Sequence, residues 1–270
     1  MSKSFEFVYL VSEVIVMILF ITCTKYGEGV HPKNMINDEA TAAAGDVVIT
    51  RYPQFIDVHV MIFLGIGFLL VFLKSHSWAS VGINFIIGAY SMQLSILSSG
   101  FWIQAFSKPM DEWERIPLTI ENLIVGDFGA ATVLISFCCL LGKVSLSQMW
   151  CFATLEVIFW ALNESICVHE FRANDMGGSM YVHTFAAYFG LAATYFFDPK
   201  KAIEDKEKQC EGNYNSQLIA MVGTIFLWIL WPSFNGALAG PAAQQRVFIN
   251  TVLAMSGSCI TACAMARIIY

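Results

Sequence analysis

One histidine lies in the middle of a segment that is long and apolar enough to cross a membrane. His183 follows Asp175 and the pair Gly177 and Gly178, and its neighbours one helical turn away are mostly small: Ser179, Met180, Ala186 and Ala187. Ionisable side chains at membrane depth are rare and usually functional. A neutral imidazole can donate one hydrogen bond and accept another. His183 therefore either guides a small neutral polar molecule through a pore or is satisfied by a neighbouring helix.

Asp175 lies where the helix that carries His183 is expected to begin. The glycine pair Gly177 and Gly178 opens this helix and leaves the carboxylate beside its first amide groups. A negative charge is favoured at that end of a helix because the first amides have no carbonyl partner. We interpret Asp175 as mainly structural.

The composition places these residues in a membrane protein. Of the 270 residues, 57% are hydrophobic and 13% are charged, which is far from the balance of a water-soluble domain. The net charge is −6, and without a block of lysine and arginine the sequence excludes nucleic acid as a partner. Its eight cysteines form no Cys-x-x-Cys pair, which indicates neither a disulfide frame nor a zinc site.

Apolar windows of about twenty residues predict eight membrane spans within a single membrane domain, residues 1 to 270. The spans cover residues 5 to 24, 56 to 73, 79 to 100, 118 to 142, 147 to 169, 178 to 197, 216 to 238 and 246 to 269. Two longer connections, 25 to 55 and 198 to 215, are predicted to be polar loops. Lysine and arginine divide eight to seven between the two sides, so charge does not select an orientation.

Six short motifs occur in order from the second span to the seventh: Asp57 to Met61, Asp127-Phe128, Leu141 to Ser145, Asn163-Glu164, Asp175 to Leu191, and Trp231 to Asn235. Through them the chain resembles the ammonium transporter/Rhesus glycoprotein family, and its extra N-terminal span resembles the Rhesus branch. The resemblance implies an all-α polytopic membrane helix bundle with an ammonium-transporter-like inverted-repeat fold. It also implies a homo- or hetero-trimer in membrane lipid, with one narrow hydrophobic pore in each protomer.

The resemblance assigns roles to five residues. His183 corresponds to the first pore histidine, Phe128 and Phe234 to an aromatic gate, Glu164 to a vestibular carboxylate, and Asp175 to the aspartate before the glycine pair. Ammonium would lose its proton at the gate and cross as neutral ammonia, with carbon dioxide as an alternative substrate. The family implies transport rather than enzymatic catalysis, no cofactor or metal, and a location in the plasma membrane.

The sequence departs from the family pattern in its histidines. The second pore histidine of the family lies in a His-Gly-x-x-Gly motif, which is absent here; the five histidines are His31, His59, His76, His169 and His183. Residues 56 to 197 are interpreted as the first five-helix repeat and 216 to 270 as the first two helices of the second. The fold is thus expected to be C-terminally incomplete.

Several alternatives to a conducting channel stay open. The chain can be a non-conducting Rhesus-type subunit or membrane scaffold, or a fragment of a longer channel. A membrane enzyme that binds haem or a metal is disfavoured because His183 has no second deep histidine at ligand spacing. Beside Asp57, His59 is predicted to form a helix-end hydrogen bond, and Glu156 is interpreted as a packing or interface group of unknown role.

Overall fold

Eight long helices account for most of the chain that the computed structural model describes, which comprises residues 3–27, 30, 38–73, 77–197 and 212–269. They are α1 (Lys3–Cys23), α2 (Asp38–Val60), α3 (Ser77–Ser107), α4 (Ile120–Leu140), α5 (Leu146–Ser165), α6 (Phe185–Phe197), α7 (Tyr214–Gly236) and α8 (Pro241–Ile269). Each predicted span overlaps one of them. Six helical stretches within the described residues are long and apolar enough to cross a membrane. The predicted class, an all-α integral membrane protein with several spans, is confirmed.

Short turns of other geometry extend or connect these helices. After α2 the chain continues as a π-helical turn (Met61–Ile66), an α-helical turn (Gly67–Leu69) and a 3-10 turn (Leu70–Phe72). Further π-helical turns follow α5 (Ile166–Glu170) and precede α6 (Ser179–Thr184), and a 3-10 turn (Met110–Glu112) follows α3. Two short strands, β1 (Thr24–Tyr26) and β2 (Ile116–Leu118), complete the described elements. All three π-helical turns overlap or adjoin motifs that the sequence singled out. Turns of this kind are frequent at functional sites.

The helix α2 begins much earlier than the sequence predicted. It starts at Asp38, so the prediction of a polar loop over residues 25 to 55 is wrong from residue 38 onward. The alanine-rich run between Ala40 and Ala44 explains the difference, because alanine has the highest helix propensity of all residues. Polar residues in this stretch indicated solvent contact, but solvent contact does not prevent a helix.

The second predicted polar loop lies mostly outside the described residues, namely over 198 to 211. Its last residues form the start of α7. The Asn213 side chain accepts a hydrogen bond from the Ser216 amide at 2.8 Å, and the Ser216 hydroxyl accepts one from the Asn213 amide at 3.0 Å. This reciprocal capping satisfies two amides that the first helical turn would leave unpaired.

The helix α4 forms the centre of the bundle. About 72% of its membrane-spanning window is buried, a larger share than in any other described span. The Thr119 side chain caps its first turn. Small residues then let neighbouring helices approach closely: an added Cβ at Gly129 would collide with the side chains of Ser95 and Trp160. Because α3 and α5 pack against this helix, α4 fixes the position of most of the remaining chain.

The N-terminal helix α1 is attached to the bundle at its middle and just past its end. In the middle, the Trp150 indole donates a hydrogen bond to the Ser12 hydroxyl at 3.1 Å. Past its end, β1 pairs in parallel with β2. Lys25 there donates to Glu114 at 2.9 Å, and this hydrogen bond, with the charges of Lys25 and Lys108, holds the pKa of Glu114 below its ordinary value. The extra span therefore belongs to the folded body of the protein.

Candidate functional site

The two phenylalanines that the resemblance assigned to a gate form a stacked pair where α4 meets α7. The Phe128 and Phe234 ring centroids lie 4.5 Å apart with an interplanar angle of 28°. Both side chains are buried, with exposed fractions of 0% and 2%. Offset stacking at this distance is a favourable geometry for two aromatic rings. We refer to Phe128 and Phe234 as the aromatic pair.

His183 lies in the π-helical turn before α6, next to the aromatic pair. Gly178 starts this turn with φ at 65°, a left-handed conformation that glycine adopts without strain, and its carbonyl accepts the His183 amide at 2.9 Å. The imidazole centroid is 5.7 Å from the Phe234 ring and 5.5 Å from the Trp231 ring. Its Nε2 atom is buried and has no hydrogen-bond partner among the described residues. The imidazole thus has an unused polar atom inside an aromatic environment.

A cavity of about 260 Å³ adjoins these side chains. Its wall contains His183, Phe234 and Trp231, and the rest of the wall is hydrophobic, including Met61, Ile62, Ala131, Leu134 and Leu227. A hydrophobic wall offers almost nothing to replace the hydration shell of an ion, which makes entry of a charged species costly. The strongest hydrogen-bonding side chain of the wall is His183, since the Cys138 thiol donates and accepts only weakly and the Trp231 indole only donates.

Asp175 stabilises the start of the helical segment that carries His183. Its Oδ1 atom accepts from the amide and hydroxyl of Ser179 at 2.8 and 2.6 Å, and its Oδ2 atom accepts from the amides of Met180 and Tyr181 at 2.7 and 3.3 Å. The carboxylate therefore accepts hydrogen bonds from the first amides of this segment, the position that we predicted from the sequence. Gly177 lies so close to the Asn235 side chain that a Cβ would not fit, which brings this turn against α7.

Glu164 forms its hydrogen bond with α3. It is near the end of α5, with 9% of its surface exposed, and the Ser99 hydroxyl of α3 donates to it at 3.2 Å. The structure thus brings together His183, Phe128 and Phe234, places Asp175 at the base of the same helical segment, and bonds Glu164 to α3. The vestibular role of Glu164 stays a prediction.

Sequence reasoning missed a set of polar contacts on α2. His59 lies in the last turn of α2, near a helix end as predicted, but its bond is made to another helix: its Nδ1 atom contacts the Asp127 carboxylate oxygens of α4 at 3.1 and 3.2 Å. Asp57 accepts a hydrogen bond from the Ser233 hydroxyl of α7 at 2.6 Å. The motif containing Asp57 and His59 was visible in the sequence, but nothing in the sequence indicated partners 68 and 176 residues away.

A second missed contact involves Glu156. From the sequence this glutamate was interpreted as a packing or interface group of unknown role. It is completely buried on α5 and bonded to the Ser136 hydroxyl of α4. Ser136 also contacts the Ala186 carbonyl of α6 at 2.8 Å. These two contacts join α4, α5 and α6. A spacing of four residues between Glu156, Trp160 and Glu164 was the available signal that all three share one face.

The arrangement is suited to selecting a molecule rather than to breaking bonds. One ring of the stacked aromatic pair, Phe234, is part of the wall of a hydrophobic cavity, and the same wall holds one imidazole with a free nitrogen. In the part of the chain that the structure describes, no three histidine, cysteine, aspartate or glutamate side chains cluster as they would around a metal ion. These side chains can exclude ions by their hydrophobicity and can bind a small neutral molecule by a hydrogen bond.

Known proteins resemble this chain in sequence and in fold. Residues 17–269 match the sequence model of the Ammonium Transporter Family. Ammonium transporter Rh type B from Danio rerio is 40% identical over 258 residues, which is 95% of this chain and 54% of that protein. Ammonium transporter Rh type C from Canis lupus familiaris is 36% identical over 265 residues, which is 97% of this chain and 56% of that protein.

A solved structure has the same architecture. The Nitrosomonas europaea Rh50 protein, described with a mechanism of conduction by the Rhesus protein family of channels, superposes with a TM-score of 0.71 at 25% identity. The match covers 80% of this chain and 56% of the Rh50 chain. The chain spans about half the length of the curated relatives it matches. On these matches and on its helical membrane fold, the chain belongs to the Ammonium Transporter Family, which is a family of transporters and not of enzymes.

Proposed function

We propose that this chain takes part in moving ammonium across a membrane, by letting neutral ammonia pass along the cavity next to His183. One observation carries the proposal: the buried, unpartnered Nε2 atom of His183 lies in an otherwise hydrophobic wall directly beside the aromatic pair. The relatives named as ammonium transporters support this choice of substrate.

The steps follow from the chemistry of the aromatic pair and the cavity. Ammonium is attracted to the faces of aromatic rings by about 0.5 to 2 kcal/mol. Moving the ion into a hydrophobic cavity costs far more, on the order of tens of kcal/mol in the Born limit. Ammonium therefore leaves its proton to water at the mouth. Neutral ammonia crosses, and it can donate a hydrogen bond to an imidazole nitrogen of His183 or accept one from it.

The same physics defines which other molecules pass. Potassium and sodium ions cannot lose charge by deprotonation, so the hydrophobic wall excludes them. Carbon dioxide is small and neutral, and a wall of this kind selects against charge more strongly than among neutral gases. We therefore propose ammonia as the main substrate and carbon dioxide as a secondary one.

The substitution His183→Leu tests this function. It removes the polar atom of the wall and keeps a side chain of similar size, so we expect ammonia permeability to change while the protein still folds. The measurement is the rate of pH rise inside proteoliposomes after an ammonium pulse, read by a trapped dye. His169→Leu is the matched control, since His169 lies at the end of the π-helical turn after α5 and outside the cavity wall. Equal rates for His183→Leu and the parent protein would contradict the proposal.

A second candidate function, a subunit that assembles with further protein, is favoured by the surface of α8. None of its membrane-spanning window is buried, although it exposes Asn250, Ser258 and Thr261. Exposed polar groups are costly in lipid, and small residues at four-residue spacing, Ala254, Ser258 and Ala262, favour contact between helices. We propose that α8 contacts other protein in a homo- or hetero-trimer. In that assembly, residues 56 to 197 would be the first repeat and 216 to 270 the start of the second.

Cross-linking tests the assembly. A cysteine introduced by Ser258→Cys is expected to form cross-links to other protein in native plasma membranes, which we propose as the location of the protein. A cysteine introduced on α1 by Leu10→Cys, also exposed, is the control for random collision. Cross-linking at Ser258→Cys no faster than at Leu10→Cys would show that lipid alone covers α8.

A further inference from the structure

The motif of Asp57 and His59 on α2 has no place in the cavity wall, yet each side chain bonds to the neighbour of one member of the aromatic pair. Asp57 accepts from the hydroxyl of Ser233, which precedes Phe234, at 2.6 Å. His59 contacts Asp127, which precedes Phe128, at 3.1 and 3.2 Å. Two short contacts from one helix thus reach both sides of a ring stack.

The geometry of an α-helix explains how one motif can reach two other helices. Residues two positions apart point in directions about 200° apart around the helix axis. Asp57 therefore faces α7 while His59 faces α4, and Val58 between them is completely buried. The helix α2 lies between the two helices that carry the aromatic pair and is bonded to both of them.

The two residues that Asp57 and His59 contact have few other groups to bond with. The Asp127 side chain is completely buried, and among the described residues the His59 imidazole is its hydrogen-bond partner. On α7, Pro232 lacks an amide proton and leaves the helix one backbone hydrogen bond short just before Ser233. A local weakness of the α7 backbone is thus next to the side-chain contact that attaches it to α2.

We propose that Asp57 and His59 are positioning residues that form a clamp and set the placement of the two rings of the aromatic pair. Asp57 acts through Ser233 on Phe234, and His59 acts through Asp127 on Phe128. The consequence for ammonia passage rests on the proposed function, whereas the effect on ring placement can be measured without any transport. The clamp also accounts for a sequence motif that the cavity leaves unexplained.

Fluorine NMR measures ring placement directly. 4-Fluorophenylalanine is introduced at position 234 or 128, and its ¹⁹F shift responds to the ring stacked against it. We expect Asp57→Ala and Ser233→Ala to move the signal of the label at 234 to the same new position. The double variant should move it no further, because the two single variants break the same hydrogen bond.

Conservative variants separate a clamp from a general loss of structure. Asp57→Asn keeps an oxygen that accepts from Ser233, and His59→Gln keeps an N–H group that can donate to Asp127, so both are expected to keep the parent signals at 234 and 128. Gln54→Ala is the matched control on the same helix: it removes a hydrogen bond from Gln244 of α8 at 3.2 Å, which does not involve a neighbour of either ring. It should leave both signals in place.

The outcomes distinguish the clamp from the function. An unmoved ¹⁹F signal in folded Asp57→Ala, or equal movement in Gln54→Ala, would overturn the clamp. A moved signal, with ammonia permeability reduced several-fold in Asp57→Ala and restored in Asp57→Asn, supports both. If the signals move as expected but the parent protein passes no ammonia, the clamp stands and the proposed function fails.

Discussion

Two buried aspartates of the bundle are stabilised in opposite ways. Asp175, 7% exposed, accepts four hydrogen bonds from residues four to six positions further along the chain. The Asp127 side chain is completely buried. Among the described residues its hydrogen-bond partner is one imidazole, that of His59, which lies on a different helix and 68 residues earlier in the chain. One carboxylate is thus satisfied by the start of its own helical segment, and the other by the packing of two helices.

The difference shows how each aspartate depends on the rest of the fold. The donors of Asp175 are in place as soon as the π-helical turn forms, whether or not other helices have packed. The donor of Asp127 is in place only when α2 lies against α4. Loss of the Asp127 contact should therefore lower the stability of the folded bundle more than loss of the contacts of Asp175.

The largest effect is expected for His59→Leu. It leaves the carboxyl group of Asp127 buried without its hydrogen-bond partner, which costs about 3 kcal/mol, the upper range for an unsatisfied buried polar group. Unfolding of the purified protein in detergent, followed by helical content, measures this loss. His59→Gln is the control, because its amide can still donate to Asp127 and should recover most of the stability.

Asp175→Ala is expected to cost less, about 2 kcal/mol, which is the upper range for loss of a capping side chain. The amides of Ser179, Met180 and Tyr181 lose their acceptor, but amides at the start of this segment can bind water instead. Hydrogen exchange should increase at these three amides and stay unchanged in α4. A larger loss of stability for Asp175→Ala than for His59→Leu would reverse the comparison between the two aspartates.

The same contrast separates what the sequence predicts from what it does not. The spans can be located from the sequence because about twenty apolar residues are needed to cross a bilayer. The start of the His183 segment can be located because an aspartate before two glycines accepts hydrogen bonds from amides close to it in the chain. The contact between His59 and Asp127 depends on which helices pack together. No local pattern around His59 contains that information.

The helix α2 shows the limit for fold prediction. Its first half was missed because hydropathy reports burial in lipid, while the alanine-rich start of α2 forms a helix through backbone propensity. The stacking of Phe128 on Phe234 is similar, because 22 phenylalanines occur in the chain and only the resemblance to a family singled out these two. Packing then brought them together across α4 and α7.

The smallest effect on stability is expected at the exposed pair of Lys25 and Glu114. This pair lies outside the membrane spans, so it shows how much a solvent-exposed carboxylate contributes compared with the two buried aspartates. Because the pKa of Glu114 is lower in the folded protein than in the unfolded chain, the pair stabilises the fold above the ordinary glutamate pKa, about 4.3. That contribution is lost as the pH falls through the lowered value. Melting temperatures of the parent and Glu114→Gln should therefore differ slightly at pH 6 and converge once the pH falls below the lowered pKa of Glu114. They should also converge at high salt, since 62% of the Glu114 side chain is exposed. A difference that persisted at every pH would mean that Glu114 acts by packing, as a buried residue does, and not by its charge.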